Sequence, residues 1–369
     1  MKPARYSPPV TVPIVTHLAI QNLRILNNVA VDLAPQANLF TGPNASGKTT
    51  VLEALYVLAR GRSFRETQWT AIIAEREESL RVFARVFDQG KTVPVGIEHD
   101  RHQAVIRIKG ETQRNTRTLL EQLPVQLIAP DSHRLIEQGP QYRRQYLDWG
   151  VFHVEQRFLG AWQRYRRALK QRNAALKAPA KDAVLEPWEL EMSSAAEEID
   201  RYRAHYVETL SPHLDDLGRE LLNLEELGVR YLKGWREGEL AMQLVTSRTS
   251  DAQQGYTRAG PHRADLELSI GNHKAVQRIS RGQQKALVFA LTLAQARLLN
   301  ERVDRKPILL VDDFGAELDD HHLKRIWSVL QESKSQVLLT GTDLKERLST
   351  QTPKDALFHV ERGEVTRVL

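Results

Sequence analysis

The octapeptide Gly42-Pro43-Asn44-Ala45-Ser46-Gly47-Lys48-Thr49 constrains this chain more than any other feature. It fits G-x-x-x-x-G-K-T. It stands between a short apolar run, Ala37 to Thr41, and a stretch with helical spacing from Lys48 to about Ala59. Such a loop lets successive backbone N–H groups converge on one anion, and the following helix adds the positive end of its dipole. The anion that a strand–loop–helix of this kind takes is phosphate. Lys48 would reach the β- and γ-phosphates of ATP, the Thr49 hydroxyl would ligate Mg²⁺, and Thr50 opens the helix beside them. A chance glycine turn is the competing reading, and the strand before and helix after weigh against it.

A phosphate loop needs an acidic metal contact on a neighbouring strand. Ile308-Leu309-Leu310-Val311-Asp312-Asp313 offers four aliphatic residues and then two carboxylates where a buried strand would emerge. Asp312 is the expected Mg²⁺ partner, and Asp313 stands where a general base would polarise an attacking water. Taken alone, the pair would equally suit a turn or a helix cap. Lys48 and Asp312 lie 264 positions apart, whereas one βαβ crossover needs about 30 residues. One α/β domain is therefore split by a long insert.

The insert reads as helical. Residues 154–177 and 187 to about 227 carry few β-branched residues, and Ile199, Tyr202, Tyr206, Leu210, Leu214, Leu217 and Leu221 make one apolar stripe. Pro179 and Pro187 bracket a break, so an antiparallel pair of helices is the simplest arrangement. Net charge is +6 over residues 131–180 and −8 over residues 181–240. Either the two halves neutralise one another, or Arg157, Arg164, Arg166, Arg167 and Arg172 form a face for phosphates. Before the insert, alternation over Leu80–Phe87, Thr92–Glu98 and Gln103–Lys109 predicts an antiparallel β region. Arg81, Arg85, Lys109, Arg114 and Arg117 there are candidate contacts for a phosphate backbone, each as readily explained by pairing with an acidic neighbour. Val125 to Ala129 reads as a buried strand. Gln126 within it is either a further Mg²⁺ ligand or a plain strand residue. After the insert, Ala264–Ile270, Pro307–Val311 and Gln336–Thr340 read as strands, with helices at Gln283–Asn300 and Asp319–Gln331.

The chain has no cysteine, which excludes disulfides, thiolate zinc sites and a cysteine nucleophile and suits a reducing compartment. The longest apolar stretch, Ala286 to Ala294, falls far short of the ~20 residues that span a bilayer. A cytoplasmic protein without a membrane partner is the expectation.

Ser280-Arg281-Gly282-Gln283-Gln284-Lys285 opens the helix before the Asp312 strand. It reads either as an ordinary serine N-cap or as the S-G-G-Q signature of ABC-type ATPases, which it resembles with Arg281 in place of a glycine. Glu317-Leu318-Asp319 resembles their D-loop, and Thr340 stands where their switch residue, often His, would be. More specific still are Gly61-Arg62-Ser63-Phe64-Arg65, the run from Pro130-Asp131 through Gly139-Pro140 to Arg143-Arg144-Gln145-Tyr146-Leu147-Asp148, and Thr257-Arg258-Ala259-Gly260-Pro261-His262-Arg263-Ala264-Asp265. In this order they resemble the RecF family of SMC-like ATPases from about Thr16 to the C-terminus. Ala45 stands where a phosphate-loop glycine is common, Gln138 replaces a glycine, and Tyr146 replaces the usual Phe.

The resemblance implies an α/β fold: an ABC-type P-loop ATPase head of two lobes with mixed sheets and an inserted, mainly helical arm. Its expected divisions are a flexible extension at 1–15, lobe I at 16–130, the arm at 131–240 and lobe II at 241–369. It implies ATP and Mg²⁺ as cofactors, slow hydrolysis, and an ATP-dependent homodimer in which Ser280 and Gly282 meet the nucleotide of the other subunit. It places Arg65 at the nucleotide or its pocket. Its implied partners are DNA, as duplex, gap or single-strand–duplex junction, together with RecO and RecR in the RecA pathway of gap repair, replication restart and the SOS response. A transporter nucleotide-binding subunit and a passive ATP-dependent clamp share parts of these motifs. The long separation of the motifs speaks against the transporter.

Overall fold

The computed structural model describes residues 14–88, 90–177, 182–236, 238–342, 344, 348 and 355–369. The expected extension thus lies outside the described residues up to position 13, and the first strand starts at Ile14, two residues before the predicted start. In chain order the elements are β1 (Ile14–Leu23), β2 (Leu26–Asp32), β3 (Ala37–Thr41), α1 (Lys48–Arg60), β4 (Ser79–Asp88), β5 (Lys91–Asp100), β6 (Ala104–Ile108), β7 (Glu111–Gln113), α2 (Arg117–Gln122) and β8 (Val125–Ile128). They continue with α3 (Arg134–Glu137), α4 (Pro140–Val154), α5 (Phe158–Leu176), α6 (Asp182–Leu222), β9 (Leu227–Leu232), α7 (Leu240–Thr246), α8 (Arg248–Gln254), β10 (Asp265–Ile270) and β11 (His273–Lys274). Last come α9 (Arg281–Val303), β12 (Ile308–Val311), α10 (Asp320–Glu332), β13 (Val337–Gly341), β14 (Asp355–Glu361) and β15 (Glu364–Arg367).

The chain divides into two compact units, 1–132 with 288–369, and 133–287. In the first, one sheet has the order β2-β1-β4-β5-β6-β7 and is antiparallel throughout. The other has the order β15-β14-β3-β13-β12-β8, parallel except at β15. Helix α1 is buried along Thr50–Ala59, and its apolar residues join one core with Leu18, Ile20, Val82, Val86 and Val95 of the first sheet and Phe40, Ile308, Leu310 and Phe358 of the second. A helix covered on all sides needs no one-sided apolar stripe. Strands β12 and β13 are wholly buried, which explains their unbroken aliphatic runs.

In the second unit α5 and α6 run antiparallel: Arg172 bonds Glu189 while Arg164 bonds Glu198 further along α6. Those two arginines of the basic half are therefore taken up by the acidic half. Helix α6 starts at Asp182 and continues through Pro187, so no break falls at that proline. As the sixth residue of α6, Pro187 forgoes one intrahelical bond, to the Ala183 carbonyl, and the helix carries that loss. The helix ends at Leu222, about five residues short of the expected end near Leu227, and β9 follows, pairing along β10 from Asp265↔Leu232 to Ile270↔Leu227. The segment 241–287 groups with the helices rather than with the parallel sheet. Arg172, fully buried, explains this: it donates to Asp251, Thr257 and the Leu244 carbonyl. Cutting any of these would strand buried charge.

Two of the family-like motifs hold each other in this unit. Arg143 grips both carboxylate oxygens of Asp265 at 2.7 and 3.1 Å, and Arg144 donates to the Ala264 carbonyl. Arg203 joins Asp148 to the Pro261 carbonyl. His262 bonds Tyr165 through Nδ1 at 2.5 Å and the Thr257 carbonyl through Nε2 at 3.0 Å. Burial pushes its pKa down to about 4, so it packs as a neutral imidazole.

Candidate functional site

The parallel sheet explains why residues 264 positions apart can meet. Strand β3 runs into the glycine-rich loop; β13 pairs with β3 and β12 pairs with β13, so their C-terminal ends lie side by side. Thr49, at the start of α1, donates its hydroxyl to Asp312 Oδ1 at 2.8 Å. Thr340, at the end of β13, donates to the same oxygen at 2.7 Å and accepts the Asp313 N–H at 2.8 Å. One carboxylate thus gathers hydroxyls from two other elements. Asp312 is buried, whereas Asp313 is exposed and holds φ at 54°.

Within the loop, Gly42 has φ 149°, and a Cβ there would lie 2.0 Å from the Val360 carbonyl oxygen. Ala45 holds the left-handed φ of 60° that a glycine would adopt more easily. The C-terminal hairpin buttresses the loop from outside, because Gly363 N–H donates to the Ser46 carbonyl at 3.0 Å. Lys48 Nζ donates to the carbonyls of Gly42 and Pro43 at 2.8 and 2.7 Å. Burial holds its ammonium below the ordinary amine range, opposed by the carboxylates of Asp313 and Asp312. Pro43 and Asn44 are exposed, while Ser46, Gly47 and Thr50 are buried.

These residues fit a phosphate and a hard divalent ion. Ser46 Oγ is buried and has no hydrogen-bond partner among the described residues. Gly42 and Gly47 take backbone angles that expose successive N–H groups. The Thr49 hydroxyl and Asp312 carboxylate are oxygen donors of the kind Mg²⁺ takes. A methyl group at Gly42 has no room, so Gly42→Ala is expected to destabilise the protein by roughly 2–4 kcal/mol. A lowered thermal midpoint checks this; an unchanged one contradicts the loop geometry.

Other expected residues are placed differently. Gln126 lies opposite Leu309, three residues before Asp312 on the sheet, and its Nε2 donates to Gln295 Oε1 at 2.7 Å. The structure does not bring it to the Thr49–Asp312 pair. Its own Oε1 is buried without a partner among the described residues. Arg65 sits over Glu53, at 3.5 Å. Glu53 is fully buried in α1 and accepts Arg24 at 2.6 and 2.9 Å and Ser63 Oγ at 2.5 Å. Neither Glu53 nor Arg24 was legible as part of a site; a lone glutamate amid the apolar residues of α1 was the available signal. Ser280 and Gly282 belong to the second unit. Exposed Ser280 accepts the Gln283 N–H while Gln283 Oε1 accepts the Ser280 N–H, a reciprocal capping box. Asp319 caps α10 by accepting the His322 N–H.

A phosphate-type loop entering a buried helix, an acidic strand end beside it, and separate parallel-cored and antiparallel sheets define an ABC-type ATPase head. A family model described as RecF/RecN/SMC N terminal domain matches residues 14–365. The DNA replication and repair protein RecF of Pseudomonas syringae pv. syringae is 43% identical over 359 residues, 95% of this chain and 98% of its own. That of Azotobacter vinelandii is 43% identical over 96% of this chain and 97% of its own. This chain belongs to the RecF family. A solved structure of the recombination mediator protein RecF-ATP in the RecFOR pathway matches with TM-score 0.86 at 25% identity, over 97% of this chain and 98% of that one. An Smc head domain from Pyrococcus furiosus matches with TM-score 0.58 at 15% identity over 97% and 96% of the two chains, which shows a shared fold. Among the described residues no helix is long and apolar enough to cross a membrane.

Proposed function

We propose that this protein is an ATP-switched, DNA-binding recombination mediator that works in the cytoplasm with RecO and RecR in the RecA pathway. The observation that carries the reading is the Asp312 carboxylate joined to Thr49 and Thr340 beside the glycine loop, in a chain 43% identical to RecF proteins along 95% of its length. Gly42 to Thr50 would hold the phosphates of ATP, with Lys48 moving from the Gly42 and Pro43 carbonyls onto them. Thr49 and Asp312 would hold Mg²⁺. When bound, Mg²⁺ and the γ-phosphoryl group supply the electrophile and the charge neutralisation of a hydrolysis. Asp313 would orient and deprotonate the attacking water, its backbone fixed by Thr340. Arg65, aimed by Glu53, would face the nucleotide pocket.

Ser280 and Gly282 open α9 with exposed polar groups at a helix N-terminus, a natural phosphate contact. In a homodimer they would complete the site of the partner subunit. Nucleotide state then controls association, and association controls the grip on DNA. Hydrolysis serves as a slow reset of this switch. The test is binding to duplex, single strand and gapped junction with ATP, ADP and a non-hydrolysable analogue. Tight binding with ATP and the analogue, weakened by ADP and by salt, is expected. Binding indifferent to nucleotide would overturn the switch.

A further inference from the structure

The outer face of the antiparallel sheet carries a pattern that the nucleotide site does not use. Along β4, Leu80, Val82, Ala84 and Val86 are buried, while Arg81, Phe83, Arg85 and Phe87 face outward. Phe83 and Phe87 are each 37% exposed. Apolar rings are not placed there to fill a core. Phe83 lies opposite Ala19 of β1 and Gly96 of β5, and the His17 ring of β1 meets it only edge-on, 6.5 Å between centroids.

Charge on this face is unbalanced. Asp32 is taken by His17 at 2.7 Å and Glu98 by Arg81 at 2.8 Å. Asp100 accepts the N–H groups of His102 and Gln103 in its own turn. Arg85, two residues from each ring, and Arg107, opposite Gly96, form no ion pair among the described residues. Open rings interleaved with uncommitted guanidinium groups suit a ligand with flat bases and a phosphate backbone. In a duplex the bases already stack on one another; in a single strand their faces are open to an aromatic side chain.

We propose that this face binds unpaired nucleotides of single-stranded DNA, with Phe83 and Phe87 stacking on bases and Arg85 and Arg107 contacting phosphates. The inference rests on the reading above that DNA is the partner, and it names the form of DNA that this sheet takes. The rings stand about 13 Å apart along the strand, so they would serve separate bases.

The test is fluorescence anisotropy of the full-length protein with oligothymidine of about 15 nucleotides, an abasic strand of equal length, and a duplex. The wild-type protein should bind oligothymidine more tightly than the abasic strand. Phe83→Ala with Phe87→Ala should weaken oligothymidine binding about tenfold or more and leave the duplex and the abasic strand nearly unchanged. Phe83→Tyr should retain affinity. The substituted rings are on the surface, and an unchanged thermal midpoint confirms that the variants fold. Retained oligothymidine affinity in the double variant overturns the proposal and leaves the face to a protein partner. Equal losses for single strand and duplex also overturn it. Duplex binding without oligothymidine binding in the wild type sinks this face alone. Failure to bind any DNA sinks the DNA reading itself.

Discussion

Lys48→Ala is expected to lower ATP affinity about a hundredfold while leaving the thermal midpoint within a few degrees of wild type. The asymmetry follows from what Lys48 touches. Its ammonium bonds two carbonyls of its own loop, Gly42 and Pro43, and is half-buried, so its removal opens no large cavity. Its expected contribution is to bound phosphate, where it supplies a compact, partly desolvated positive charge. Isothermal titration with ATP and Mg²⁺ reads this directly. Lys48→Arg should keep more binding and lose hydrolysis, because a planar fork cannot replace a point charge in so tight a loop. Equal affinity in the Lys48→Ala protein would move the nucleotide elsewhere.

Asp312→Asn should reduce Mg²⁺-dependent ATP hydrolysis by about a thousandfold. An amide oxygen can still accept from Thr49 and Thr340, which bond Oδ1 at 2.8 and 2.7 Å. The strand ends therefore stay joined, and the substitution removes charge rather than packing. Binding of ATP without Mg²⁺ should change little, and single-turnover hydrolysis separates the two effects. A loss of fold would show that Asp312 serves the sheet instead. Retained hydrolysis would reassign the metal ligand.

The glycine loop and the acidic strand end were legible because their parts are local. A glycine loop, a lysine and a threonine stand within one octapeptide, and the aliphatic run before Asp312 marks a buried strand without any knowledge of its neighbours. What escaped is what depends on register. Thr340 was placed as a switch-like residue, but its bonds to Asp312 and to the Asp313 amide exist only because β13 lies between β3 and β12. Glu53 is silent in sequence for the same reason, since Arg24 and Ser63 reach it from separate turns. Gln126 shows the reverse: its strand was legible, while the three-residue offset from Asp312 was not. Helix α6 was read on to about Leu227, because Leu224 and Leu227 continue the leucine-rich spacing, but it ends at Leu222 and β9 begins at Leu227. Its pairing with β10 overrides that local signal. The division at 287/288 follows from buried ion pairs such as Arg172 with Asp251, which composition cannot reveal.

Sedimentation velocity of the full-length protein with Mg²⁺ and either ATP or ADP tests the switch most directly, with Ser280→Ala run beside the wild type. The wild type should sediment as a dimer with ATP and as a monomer with ADP. Ser280→Ala should bind ATP with near-normal affinity and remain monomeric. Full ATP-induced dimerisation of Ser280→Ala, or a wild-type monomer at saturating ATP, would contradict the account.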